Sequence, residues 1–361
     1  MAAMIALLAA LGAAVAVWNP VPMVANVYLA QARDRWLWSL LALSVGWLAL
    51  GGHYWLALMG LWFLIAWARK GHEVLEHLVP WIAIGATWFF FRSIPNWAWT
   101  YLSWVWVAGA VWQSWLCVKA YREVEWPKDN RPRLGNRTKG SLGSPVLTAI
   151  CMATTFPLVS TWLLPLLLPG LYLTFSFTCL LGVTIAVAWL YPPLAIYAFC
   201  GLMLPLALML LAKRHEVDVV GKANWRNQRL FEFSPRGDST DGWVARLILD
   251  RLVVTHVWKQ RAWLGLGPGT LQTHARRWGS QGDQELLSGE VHCDAIQHVA
   301  EFGVLGALSI LAFVVPIAMN LRLGDSWSAA WVVMVVISFV HWPCRHVSLG
   351  LMFLAISARL A

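Results

Sequence analysis

"WTYLSWVWVAGAVWQSW", residues 99–115, holds five tryptophans and no charged side chain. It sits in a chain of 361 residues of which 59% are hydrophobic and 12% charged, with a mean hydropathy of +0.60. A soluble domain of that size carries about 25% charged residues. Half that share, with long uncharged runs, predicts an all-α integral membrane protein. The 26 tryptophans agree, because amphipathic indoles gather at membrane–water interfaces. Their density in 99–115 exceeds what a simple interfacial belt needs.

Crossing the hydrocarbon takes roughly 20 mostly apolar residues per helix. That rule places spans near 3–18, 36–50, 53–68, 78–91, 97–118, 146–164, 171–190, 194–212, 303–321, 326–341 and 346–361. The count is thus about 11, within 10–12. The stretch 19–30, broken by Pro20 and Pro22, is re-entrant or interfacial. The N-terminus lacks the basic region of a cleaved signal peptide and reads as a retained first span. The chain then divides into N-terminal helices (1–212), one large loop (213–302) and C-terminal helices (303–361).

Orientation follows from the short basic loops. Arg33 and Arg35, Arg69 and Lys70, and the run from Lys119 to Lys139 fall in alternate loops. The positive-inside rule makes those loops cytoplasmic. Counting onward with strict alternation places 213–302 on the exoplasmic side. The net charge of +9 is therefore topology information, not a nucleic-acid-binding stripe. Six scattered cysteines (117, 151, 179, 200, 293, 344) form no CxxC pair, so neither a zinc ribbon nor a disulfide framework is indicated.

The loop carries the polar chemistry. Residues 241–260 place Val244, Leu247, Ile248, Leu252 and Val257 at the spacing of an amphipathic surface helix. "WLGLGPGTL" (263–271) is a tight turn, with Gly265, Gly267 and Gly269 around Pro268. It lacks the GK[ST] ending of a phosphate P-loop. "EVHCDAIQHVAEFGVLG" (290–306) then crowds His292, Cys293, Asp294, His298 and Glu301 ahead of an apolar run. On a helix Asp294, His298 and Glu301 share a face. Three readings compete: a metal site, a proton-transfer site and a polar helix cap. The spacing is not HExxH, and no further His/Cys pair lies nearby, so a metal is disfavoured. As a cap, Asp294 and Glu301 favour the N-terminal end of the helix dipole.

Read together, three stretches resemble the O-antigen ligase/polymerase superfamily of bacterial membrane glycosyltransferases. Its ligases show a His followed by Asn, Ser or Gln, nine residues, then Gly-x-x-Gly opening a span. Here His292, nine residues from Asp294 to Phe302, then Gly303 and Gly306 reproduce that spacing, with Cys293 in the Asn/Ser/Gln position. "ARLILDRLVVTHVWKQRAWLGLGPGTL" (245–271) resembles the family's Arg-helix-GxGPGxF segment and sets Arg246 on its anion-binding arginine and Leu271 on its Phe. "GSLGSPVLTA" (140–149) resembles the element opening a middle span. The likeness covers roughly 135–361. It departs at Ser176, where Phe177 replaces an expected Arg, so a second phosphate-binding Arg either comes from elsewhere, with Arg226, Arg229 and Arg236 as candidates, or is missing.

The resemblance implies a donor glycan on undecaprenyl diphosphate, a hydroxyl acceptor such as lipid A–core, and inverting, metal-independent transfer with no cofactor. It implies the bacterial inner membrane, a periplasmic site and a place in lipopolysaccharide synthesis. His292 would be the general base and Arg246 the diphosphate clamp, roles that suit a pKa near about 6.5 and a bidentate guanidinium. Asp294 or Glu301 would orient His292. Gly267 and Gly269 would shape the turn, and Arg276 and Arg277 would hold diphosphate or lipid headgroups. His298 is either a second base or a packed interfacial histidine. The simpler account of Arg246 is an i,i+4 pair with Asp250. An O-antigen polymerase, a protein oligosaccharyltransferase or a lipid-linked glycan transporter are the alternatives. The nearly charge-free mid-span regions, with Arg92 and His341 near span ends, speak against the transporter.

Overall fold

The computed structural model describes residues 41–70, 75–123, 141–142, 145–159, 161–174, 176–201, 255, 257, 259, 261–268, 293–339 and 347–361. Among these residues all regular secondary structure is helical. In chain order the helices are α1 (Leu41–Leu50), α2 (Tyr54–Lys70), α3 (Leu75–Ser93), α4 (Asn96–Glu123), α5 (Pro145–Thr155), α6 (Leu164–Leu173), α7 (Phe177–Leu190), α8 (Pro192–Gly201), α9 (Asp294–Met319), α10 (Ser326–Ser338) and α11 (Val347–Leu360). By length and composition, one described stretch, Ala295–Met319, is long and apolar enough to cross a bilayer; eight other apolar helices have 10–17 residues. α4, with 28 residues, is about 42 Å long at 1.5 Å per residue, but its Trp and Tyr groups dilute its apolar character.

The described helices belong to two compact units. One comprises Met1–Thr87, Arg251–Glu290 and Ala295–Met319; the other comprises Trp88–Asp250, Val291–Asp294 and Asn320–Ala361.

In the first unit, α1, α2 and α3 close on a small residue. A Cβ on Gly60 would come 2.5 Å from Val45 Cγ2 and 3.0 Å from the Trp81 ring, so only glycine lets the three helices approach so nearly. α2 also packs on α9 through two edge-to-face aromatic pairs, Trp55–Phe313 at 5.1 Å and Trp62–Phe302 at 4.9 Å. As α2 advances from 55 to 62, α9 retreats from 313 to 302. The two helices are antiparallel, so the Arg69–Lys70 end of α2 and the Gly303 end of α9 share one end of the unit. The sequence count set those two ends on opposite sides, and that part of it is corrected.

The second unit is built around Ile150, Met152, Leu167, Leu171, Leu180, Val183, Met334 and Leu349, all buried. Here too the expected alternation fails. The spans at 97–118 and 326–341 were to enter from opposite sides, yet the starts of α4 and α10 lie together. Trp327 meets both Trp99 and Trp106 edge-to-face, at 5.4 and 5.9 Å. At the same end, Arg359 Nη1 donates to Asn96 Oδ1 at 2.9 Å.

The cause is the segment expected to cross once at 146–164. Gln113 and Ser141 exchange two hydrogen bonds, at 2.7 and 3.0 Å, and Ser114 Oγ donates to Leu166 O at 2.5 Å. The chain therefore leaves the level of Gln113 at Ser141 and is back at it by Leu166. Between those points α5 and α6 are half-length helices, separated by 3-10 turns at Phe156–Leu158 and Thr161–Leu163. Pro157 and Pro165 fit these breaks, because proline donates no N–H and disfavours helical backbone before it.

Ser114 also shapes α6. Its hydroxyl donates to Leu166 O and accepts from Gly170 N at 3.1 Å, the two groups that an undisturbed helix would join directly. A side chain is thus inserted into the helical ladder beside Pro169. A Cβ on Gly170 would collide with Ser114, so the insertion needs glycine there.

Candidate functional site

The site is legible where the glycine turn meets the start of α9. α9 is not one straight helix. Gly303 holds φ 65° and ψ −146°, a conformation essentially reserved for glycine. It divides α9 into an entry helix ending at Phe302 and an apolar helix from Val304 to Met319, the latter about 24 Å long. The sequence reading opened its span at 303, and the break falls on that residue.

The bend is sharp. One His298 ring nitrogen, Nε2, lies 3.0 Å from Ser309 Oγ, eleven residues on. On a straight helix those residues would be about 16 Å apart along the axis, so the entry helix folds back over the apolar helix. Gly306 makes room for the fold: a Cβ there would sit 2.9 Å from His298 O and 2.7 Å from Phe302 Cβ. Both glycines of the Gly-x-x-Gly pair thus have backbone roles, one turning the chain and the other admitting the returning helix.

The glycine turn docks on this bend main chain to main chain. Leu266 N donates to Ala300 O at 2.9 Å, Gly267 N to Glu301 O at 3.0 Å, and Val304 N to Ala262 O at 2.8 Å. Each satisfies a group that the broken helix would leave unpaired. The approach is closest at Gly265, with φ 65°, where a Cβ would stand 2.5 Å from both Glu301 C and Glu301 O. Trp62 of α2 closes the arrangement, its Nε1 donating to Leu264 O at 2.8 Å while its ring meets Phe302. This support was missed in the sequence, since Trp62 lies 202 residues from Leu264 and nothing local marks it.

Two polar side chains are buried on the entry helix. Glu301 is 7% exposed and Gln297 is 4% exposed. Gln297 Nε2 donates to Glu301 Oε1 at 2.8 Å, an i,i+4 pair. Gln297 was not singled out in the sequence. Gln297 Oε1 has no hydrogen-bond partner among the described residues.

The other expectations fall as follows. His298 packs on Phe302, with ring centroids 4.7 Å apart. Ser309 Oγ donates its one proton to Gly306 O at 2.8 Å, so the His298–Ser309 bond requires His298 Nε2 to be the donor. That assigns His298 to holding the bend. Cys293 is buried, and Asp294 is the first residue of α9. No group of three His, Cys, Asp or Glu side chains arranged to hold a metal occurs among the described residues. His292, Arg246, Arg226, Arg229, Arg236, Gly269, Arg276 and Arg277 lie outside the described residues.

No family model, no curated protein and no solved structure matches the chain.

Proposed function

We propose that this chain is a membrane glycosyltransferase of the O-antigen ligase type. It would transfer a glycan from undecaprenyl diphosphate to a hydroxyl of lipid A–core on the periplasmic face of the inner membrane. Membrane insertion is supported by the outward-facing side chains: Trp97, Tyr101, Val105, Ile196, Tyr197 and Met319 are each more than half exposed. Such apolar exposure over many helices suits lipid and does not suit water.

The observation that carries the catalytic reading is the docking of 262–267 on 300–304. The glycine turn and the His-Gly-Gly stretch were picked out separately as parts of one resemblance, and they meet through three backbone hydrogen bonds. In the proposed reaction His292 removes the proton of the receiving hydroxyl as its oxygen attacks the anomeric carbon. The attack comes from the face opposite the leaving group, so the configuration inverts. The bond from the anomeric carbon to the diphosphate oxygen breaks, and undecaprenyl diphosphate leaves with the added negative charge. Arg246, with a second arginine from Arg226, Arg229 or Arg236, holds that charge by bidentate contacts. Arginines in this role make a metal unnecessary.

The test is transfer by the purified chain from a polyprenyl-diphosphate glycan with EDTA present. Wild type is expected to remain active. His292→Ala and Arg246→Ala are each expected to lose at least about 100-fold in kcat while staying folded, in line with the loss of a general base or of a charge-stabilising group. Full activity in a folded His292→Ala variant, or no transfer by wild type to any hydroxyl, would remove the reading.

A further inference from the structure

The end of the second unit at which α4 and α10 begin is also where α7 and α11 finish. Trp189, at the end of α7, donates from Nε1 to Arg322 O at 2.9 Å, and its own carbonyl accepts from Gly324 N at 3.1 Å. Asn320 Nδ2 donates to Leu360 O, the last residue of α11, at 3.0 Å. Asn96, which opens α4, accepts from Arg359. Phe91, the neighbour of Arg92, has its ring centroid 6.1 Å from that of Trp99. Three chain segments thus bring Arg92, Arg322 and Arg359 to one end, and all three side chains are exposed.

These charges are held without being neutralised. Arg359 Nη1 donates to Asn96 Oδ1 at 2.9 Å, and its guanidinium carbon lies 5.9 Å from the centre of the Trp99 ring. A neutral amide and a ring face fix the guanidinium and leave its charge whole. Asp325 is committed elsewhere: its carboxylate caps α10, accepting from Ser328 N and Ser328 Oγ, both at 2.7 Å. Among the described residues no carboxylate pairs with any of the three arginines. The helix dipole accounts for Arg92 and Arg359, each in the last turn of its helix. It does not account for Arg322, which lies between helices. The surface around them is apolar, with Trp97 and Tyr101 each 67% exposed and Leu323 71% exposed.

A basic end rimmed by exposed aromatic and aliphatic side chains fits a ligand that is anionic at its head and apolar behind it. We propose that this end of the second unit binds the headgroup of an anionic phospholipid, with Arg322 and Arg359 on the phosphate and Arg92 adding charge beside them. Guanidinium groups meet phosphate bidentately, Trp and Tyr sit at headgroup depth, and Leu323 lies against the acyl chains. A free phosphate would engage the arginines and leave the apolar rim in water. The inference rests on the membrane reading and owes nothing to glycosyl transfer.

The test is native mass spectrometry of the full chain in detergent, titrated with dioleoyl-phosphatidylglycerol or dioleoyl-phosphatidylcholine. Both carry a phosphate and the same chains, and only the first is net anionic. Phosphatidylglycerol is expected to bind at least about 10-fold more tightly. Arg322→Gln is expected to weaken that binding about fivefold, and the double variant with Arg359→Gln about 20- to 30-fold, one such factor per arginine. Phosphatidylcholine binding is expected to change less than about twofold. The Arg322 side chain makes no hydrogen bond among the described residues, so its single variant gives the answer even if losing the Arg359–Asn96 bond unfolds the double. Lys119→Gln removes an exposed charge beside Trp115, near the opposite end of α4, and is expected to bind like wild type. Equal affinity for the two lipids, wild-type binding by folded Arg322→Gln, or an equal loss in Lys119→Gln overturns the proposal. So does displacement of the lipid by inorganic phosphate at equal concentration, since the bare anion would then be what is recognised. Selective lipid binding in a chain that transfers no glycan would sink the transfer reading and leave this one standing; transfer without lipid selectivity would do the reverse. A chain washed from membranes by carbonate would remove the membrane reading and this inference with it.

Discussion

Gly265 and Gly303 meet main chain to main chain: a Cβ built on Gly303 would fall 2.6 Å from Gly265 N and 2.5 Å from Ala262 O. Each glycine holds φ 65°, so each tolerates a side chain poorly even without its neighbour. Together they let a surface turn complete the hydrogen bonding of a broken apolar helix, and this fixes where the entry helix points.

That relationship predicts a steep cost for the smallest possible change. Gly303→Ala adds a methyl group against backbone that cannot swing aside, in a conformation costing an L-residue about 1–3 kcal/mol by itself. With the clash included, the loss is expected to exceed about 3 kcal/mol. It should appear as a lower midpoint in thermal unfolding in detergent and as loss of transfer. Gly109→Ala serves as the control, because its Cβ meets nothing within 4 Å. Equal midpoints for the two variants would mean that the bend is not held as described.

His298 yields a prediction of the opposite kind. Its Nε2 proton is committed to Ser309 and its ring to Phe302, so it stabilises the fold of the entry helix over the apolar helix. His298→Ala is expected to lower stability by about 1–3 kcal/mol, a hydrogen bond and a ring contact, while kcat changes less than about tenfold. A drop in kcat of a hundredfold or more with an unchanged unfolding midpoint would make it the second base that the sequence left open.

Much of this was legible in the sequence because it depends on local chemistry. Gly265, Gly267 and Pro268 announce a turn wherever they occur, and an apolar run after Gly303 reads as a helix whatever surrounds it. Two things were not legible. Hydropathy counts apolar residues without knowing whether a run crosses or returns, so α5 and α6 read as part of ordinary spans. Only the Gln113–Ser141 and Ser114–Leu166 bonds reveal the return. Burial of Gln297 likewise depends on tertiary packing, and one glutamine among apolar residues carries no mark of it.

The antiparallel pairing of α2 with α9 forces the last prediction. Trp55 sits by Phe313 and Trp62 by Phe302, and the exposed Trp263 lies beside Gly303, so a cysteine at Lys70 and one at Trp263 must face the same side of the membrane. The proposed reaction requires that side to be the periplasm, whereas the positive-inside rule, applied to Arg69 and Lys70, favours the cytoplasm. The basic loops at Arg33–Arg35 and Lys119–Lys139 pull the same way as Arg69 and Lys70, whereas the proposed chemistry demands an undecaprenyl-linked glycan presented outside, so labelling decides between the two. In a variant with its six native cysteines replaced, an impermeant maleimide added to spheroplasts is expected to label both Lys70→Cys and Trp263→Cys. Labelling of one position without the other would contradict the helix pairing itself. Labelling of both only after the membrane is opened would leave the fold intact and place the site in the cytoplasm, where a periplasmic ligase cannot work.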